Sequence, residues 1–156
     1  MKLSIFFVVF MALAGLTSGC AGGPQYNKGI NPQGEKLYLG STNIEESESF
    51  KNYLRSPQGE ADKQRYLFER LKNAKEFEFF HDGSWYNALE SYRGGMWLMR
   101  NRYKKGFPTR DFIKQYVERS DAGNLHLVKY PDGSLQIGSY ILYNELDLLE
   151  STAKKS

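Results

Sequence analysis

Cys20 is the only cysteine in this chain of 156 residues. No disulfide can close within the chain, so any fold must be held by buried side chains alone. The length suffices for one domain with a modest core. The position of the cysteine narrows the reading further. Lys2 precedes an apolar stretch from Leu3 to Leu16, and the small residues Thr17, Ser18 and Gly19 follow it. These are the three parts of an export signal, which predicts a signal peptide over residues 1–19. The stretch of about fourteen apolar residues is shorter than the roughly twenty that span a bilayer, which argues against an uncleaved anchor. No later segment is apolar for long enough to cross a membrane.

A lone thiol exported to an oxidising compartment invites mixed disulfides, and a thioether to a lipid removes that hazard. "TSGC" resembles the bacterial lipobox, in which small residues precede the cysteine that becomes a lipidated first residue. Thr17 occupies the place usually held by leucine, and Leu16 stands one residue further away. The resemblance implies a diacylglyceryl group on Cys20, with two or three acyl chains holding the protein firmly where one would hold it marginally. Ala21 after the cysteine implies the periplasmic face of the outer membrane. The competing expectation is ordinary cleavage near Gly19 or Gly22, giving a soluble periplasmic or secreted protein. Loss of Lys2 with the signal lowers the formal charge from +3 to +2. So balanced a charge implies neither a nucleic-acid partner nor an acidic substrate.

Residues 20–43 are rich in Gly, Pro, Asn and Gln, a composition that predicts a flexible tether. Only Leu37, Tyr38 and Leu39 favour a packed loop. The domain is expected over 44–150, with a polar tail at 151–156. Asn43 predicts a cap for a first helix that Ser56 and Pro57 end. A second helix is expected from about Glu60 to Ala74, with Leu67, Leu71 and Ala74 on one face. Phe77 and Phe79 then alternate with Glu76 and Glu78, and "HDGS" turns the chain into a brief strand at Trp85 and Tyr86. Asn87 and Glu90 predict a capping box for a third helix, whose apolar stripe is Ala88, Tyr92, Gly95, Met96, Met99 and Tyr103. Thr109 predicts the cap of a fourth helix that buries Phe112, Ile113, Tyr116 and Val117. "LHLVKY", "PDGS" and "LQIGSY" read as a second hairpin, and "ILYNELDLLE" as a closing helix. The expected class is α+β: one domain of four to five helices with two short antiparallel β-hairpins.

The runs "RYLFERLKNAKEFEFFHDGSWYNALES", "PTRDFIKQYVERS" and "LHLVKYPDGSLQIGSYILYNELDLLE" resemble the YfeK-like family of small exported bacterial proteins over about residues 64–150. Phe79 and Gly83 match a Phe-x-Arg-Asn-Gly turn in which His81 and Asp82 replace Arg-Asn. Tyr86, Ala88 and Glu90 match Tyr-x-Ala-x-Glu, and Phe112, Ile113 and Ser120 match a later Phe-Ile and serine. The family usually continues with Ala-x-x-His-Leu-x-x-Lys, where this chain has "SYRGGMWLMR". The resemblance implies a fold and an exported address, and no activity.

Few residues call for chemistry. His81, Asp82 and His126 would cluster only if the two hairpins met, and a metal site would need further ligands. Asp-Gly is also an ordinary tight turn. No nucleophile motif is present, and Glu76 and Glu78 alternate with phenylalanine as solvated strand charges do. The sequence therefore supplies no catalytic residue and requires no cofactor. Gly94 and Gly95 are the oddity, because each glycine costs a helix about 1 kcal/mol relative to alanine. The stronger reading is a crowded helix crossing or a break; the other is a groove beside Trp97. Arg100, Arg102 and Lys104 complement the dipole at a helix end, and near a membrane they could also meet anionic headgroups. Candidate binding residues are thus His81, Asp82, Trp85, Arg93, Gly94, Gly95, Trp97, Arg100, Arg102 and Lys104. The expectation is an envelope lipoprotein acting as a non-catalytic binding or accessory module, with the membrane and an envelope protein as partners. The alternatives are an inhibitor or immunity-type protein of an envelope hydrolase and, further off, a hydrolase.

Overall fold

Asp82 and Gly83 both take positive φ, 42° and 88°, the conformation a two-residue hairpin turn needs and one that this dipeptide accepts readily. They join β1 (Glu78–His81) to β2 (Ser84–Tyr86) in the computed structural model, which describes residues 26–156. A second hairpin joins β3 (Leu127–Lys129) to β4 (Leu135–Ile137). The hairpins are not separate. β1 pairs antiparallel with β3, Phe79 opposite Val128, giving one four-stranded sheet in the order β2-β1-β3-β4. Phe79 and Val128 point into the core from one face.

Five helices accompany the sheet, so the class is α+β, as the sequence pattern predicts. α1 (Glu48–Arg55) starts later than expected, because the hydroxyl of Ser47, and not Asn43, accepts from the backbone N–H of Phe50. α2 (Glu60–Asn73) falls where its periodicity places it, with Leu67, Leu71 and Ala74 buried. α3 (Ala88–Arg102) opens on the expected capping box: Asn87 Oδ1 accepts from Glu90 N at 3.0 Å and Glu90 Oε2 from Asn87 N at 2.9 Å. α4 (Thr109–Phe112) is a single turn that widens into a π turn over Ile113–Val117. Thr109 does not cap it. The Glu60 carboxylate does so from the start of α2, accepting from Thr109 N at 2.6 Å. α5 (Gly138–Ala153) begins inside the expected strand "LQIGSY" and extends into the expected polar tail. Ser139, Ile141, Leu142, Leu146 and Leu149 are buried together only on a helical period, and that burial sets the boundary.

The described part of the expected tether is a packed strap. Gly29 N donates to Gln136 Oε1, Asn144 Nδ2 donates to the carbonyls of Gly29 and Leu37, and Leu39 is buried. Residues 26–43 therefore pack as part of the domain and not as a tether before residue 44. Composition misleads here because the strap's polar backbone is satisfied by buried side chains of β4 and α5 rather than by water. One of these is Glu145, 0% exposed. Its Oε1 accepts from Leu39 N at 2.6 Å, and both oxygens accept from the Arg70 guanidinium at 2.9 and 3.2 Å. Arg70 also donates to the Ser41 carbonyl. α2 packs against α1, α3, α4 and α5, and a smaller cluster of Phe68, Met99 and Phe112 closes its α3 side.

Candidate functional site

α3 runs unbroken through Gly94 and Gly95, and the two glycines do different things. A Cβ on Gly95 would lie 2.2 Å from the Phe68 ring of α2, far inside contact distance. The crowded crossing predicted for the pair is real at this residue. A Cβ on Gly94 would meet nothing within 4 Å. Gly94 also borders an open cavity of about 460 Å³, bounded by α2, α3, the π turn, β1, β3 and α5. Buried Phe68, Val128, Ile141 and Leu142 form its interior, and exposed His81, Trp97 and Arg102 stand at its opening.

The joining of the hairpins brings the two histidines together. His81 Nδ1 and His126 Nε2 are 2.6 Å apart. Their tautomers follow from the acceptor at the far end. The Val117 carbonyl, 2.7 Å from His126 Nδ1, can only accept, so His126 Nδ1 carries the proton. Neutral His126 then accepts at Nε2, and His81 donates from Nδ1. His81 Nε2 faces Asp82 Oδ2 at 3.6 Å. Asp82 Oδ1 in turn accepts from Ser120 Oγ at 2.6 Å and Asn124 Nδ2 at 2.9 Å, which hold its carboxyl below the usual range. Val117 supplies its carbonyl from the end of the π turn, whose own bond runs from Glu118 N to Ile113 O. The result is a polar string from the 82–83 turn to the π turn, laid across the cavity's opening.

Burial pushes the His126 imidazole below its ordinary value of 6.5. Above that pH the folded and unfolded chains are both neutral at this residue. As the pH falls through 6.5 the unfolded chain takes up a proton that the folded chain resists, so stability should decline. Urea unfolding at about pH 7.5 and about pH 5.5, above the carboxylate range, is expected to show this loss. His126→Phe should shrink the difference between the two pH values. An unchanged difference would remove His126 as its source.

The predicted site residues are only partly gathered. His81, Gly94, Gly95, Trp97 and Arg102 line the cavity, with Asp82 beside His81. Arg102 also lies 3.7 Å from the Asp121 carboxylate. Trp85 is not part of the lining. It leans on Phe80 with ring centroids 5.2 Å apart, under Lys129. Arg93, Arg100 and Lys104 are exposed and outside the lining as well. Cys20 lies outside the described residues. Sequence reasoning missed Tyr86, Tyr116, Val117 and Ser120 as lining residues, and it had no signal for the hairpin pairing that places His126. Among the described residues no three His, Cys, Asp or Glu side chains converge as metal ligands would. The chemistry on offer is an apolar interior with a polar rim that includes His81, Ser120, Arg102 and Asp121, which suits binding. No family model matches the chain, and neither a curated protein nor a solved structure is similar to it, so the geometry itself carries the functional reading.

Proposed function

We propose that this chain is a bacterial envelope lipoprotein, held at the membrane through lipidated Cys20, whose α+β domain is a non-catalytic module binding a small apolar ligand. The observation that carries the reading is the cavity of about 460 Å³, within the roughly 300–1,000 Å³ typical of small-molecule sites. Its interior is apolar, and Trp97 stands half-exposed at the opening, where an aromatic ring can close over a guest. The resemblance of the N-terminal stretch to a lipobox supports the anchor. No helix among the described residues is long and apolar enough to cross a membrane, so an anchor would have to lie elsewhere.

Two measurements test the proposal. Intact mass spectrometry of the mature chain should find a diacylglyceryl mass on Cys20 that the Cys20→Ser chain lacks; an unmodified N-terminus beyond Cys20 would overturn the anchor. Titration with N-phenyl-1-naphthylamine, an apolar dye, should show saturable binding. Gly94→Phe, which places a ring in open space on the cavity wall, should weaken it about tenfold or more while far-UV circular dichroism stays unchanged. Equal dye binding by both proteins would overturn the cavity as the site.

A further inference from the structure

The outer face of α3 combines apolar and basic residues beyond what the dipole complement of Arg100 and the cavity-rim place of Trp97 account for. At 100° per residue, Leu89, Arg93, Trp97 and Arg100 fall within an arc of about 80°. The buried residues of the helix, Ala88, Gly95 and Met99, lie on the opposite side. Leu89 is 45% exposed and Trp97 52% exposed, and both arginines are exposed between them. A solvated helix face ordinarily pairs its charges and hides its tryptophans. Here Arg93 and Arg100 form no ion pair with any described residue, and neither do Lys104 and Lys105, which follow the helix. From Ala88 to Pro108 the chain carries five cations (Arg93, Arg100, Arg102, Lys104 and Lys105) and one anion, Glu90.

We infer that this face of α3 rests on an anionic lipid bilayer, with Leu89 and Trp97 entering the headgroup boundary and the basic residues meeting lipid phosphates. An exposed aliphatic and an indole interleaved with arginine on one helical face is the composition of helices that lie in a membrane interface. The cations complement an anionic surface, each being worth roughly a fivefold gain in affinity there. The length of chain outside the described residues agrees. Tyr26 borders a hollow shared with Phe80 and Gly83, next to the β1–β2 turn. Six residue steps separate it from Cys20, a reach of at most about 20 Å. If Cys20 is lipidated, as proposed above, the domain is kept against the bilayer and not held away from it. Trp97 belongs to both the membrane face and the cavity rim, so the docked domain presents its opening to the lipid.

The test uses the full mature chain with Cys20→Ser, so that no acyl chain contributes and the result is independent of the anchor. Trp85→Phe in the same chain leaves Trp97 as the only tryptophan. Phosphatidylcholine vesicles containing phosphatidylglycerol should bind this protein and shift Trp97 emission to the blue, whereas pure phosphatidylcholine should do neither. Arg93→Glu with Arg100→Glu should weaken binding by about thirtyfold or more. Trp97→Ala should weaken it about tenfold, and unchanged circular dichroism would show both variants folded. No binding to the anionic vesicles, equal binding to neutral ones, or binding indifferent to the two arginines would each overturn the inference. So would binding to polyglutamate that anionic vesicles fail to displace, since that would mark an acidic-polymer site.

Discussion

Replacing Glu145 with alanine is expected to cost about 3–5 kcal/mol of folding free energy, a large share of the roughly 5–15 kcal/mol that a folded domain ordinarily has. Glu145 is wholly buried, and removing it strands the Arg70 guanidinium without its counter-charge and Leu39 N–H without its acceptor. The loss reflects the uncompensated charge left behind more than the net worth of the pair, because desolvation of both partners offsets much of their attraction. Two companions separate these contributions. Glu145→Gln keeps an acceptor for Leu39 N and removes the charge, so it should fall between wild type and alanine. Arg70→Met combined with Glu145→Leu removes both charges and should regain stability relative to Glu145→Ala. Urea unfolding followed by circular dichroism reads all three. Loss of the clasp should also release residues 36–44, seen as new proteolytic cleavage there under native conditions. An alanine variant within about 1 kcal/mol of wild type would show that the ion pair does not hold the strap.

The two adjacent glycines of α3 should respond to alanine with opposite signs. Gly95→Ala recovers about 1 kcal/mol of helix propensity, but its methyl group would overlap the Phe68 ring 2.2 Å away. Phe68 is packed against Met99 and Phe112 and has little room to yield. Forced overpacking of this kind costs about 1–3 kcal/mol, and a separation this short calls for the upper part of that range. The expected outcome is a net loss of about 1–2 kcal/mol. Gly94→Ala meets nothing within 4 Å and should gain about 0.5–1 kcal/mol. Thermal unfolding of the two variants is the check. Stabilisation by both would mean that α2 and α3 separate easily, and the crossing would lose its role as the cavity's fixed wall.

Much of this architecture was legible because its causes are local. The capping box of Asn87 and Glu90 acts across three residues, and the Asp82-Gly83 turn depends on two backbone angles. The apolar period of α2 needs only one helical face to be read. The places where the pattern misled depend on partners far along the chain. Thr109 looks like a cap until Glu60, 49 residues away, takes that role. Residues 26–43 look like a tether until Gln136, Asn144 and Glu145 satisfy their backbone. "LQIGSY" continues as a strand on alternation alone, yet α5 claims its last three residues because the helical period that buries Ile141, Leu142 and Leu146 starts there.

The candidate site divides in the same way. His81, Asp82, Gly94, Gly95 and Trp97 stand out in the sequence as residue types in unusual places. Which of them face a common space was decided by the β1–β3 pairing, which puts His126 within 2.6 Å of His81, and by the Gly95–Phe68 contact, which sets α3 close against α2. The sequence by itself determined the α+β class, most of the helices and the turns, since backbone propensity and apolar period act over one or two turns of chain. Tertiary structure alone decided the strap, the buried ion pair, the histidine string and the cavity. Each of these is a contact between residues tens of positions apart, and its free energy exists only once the chain has brought them together.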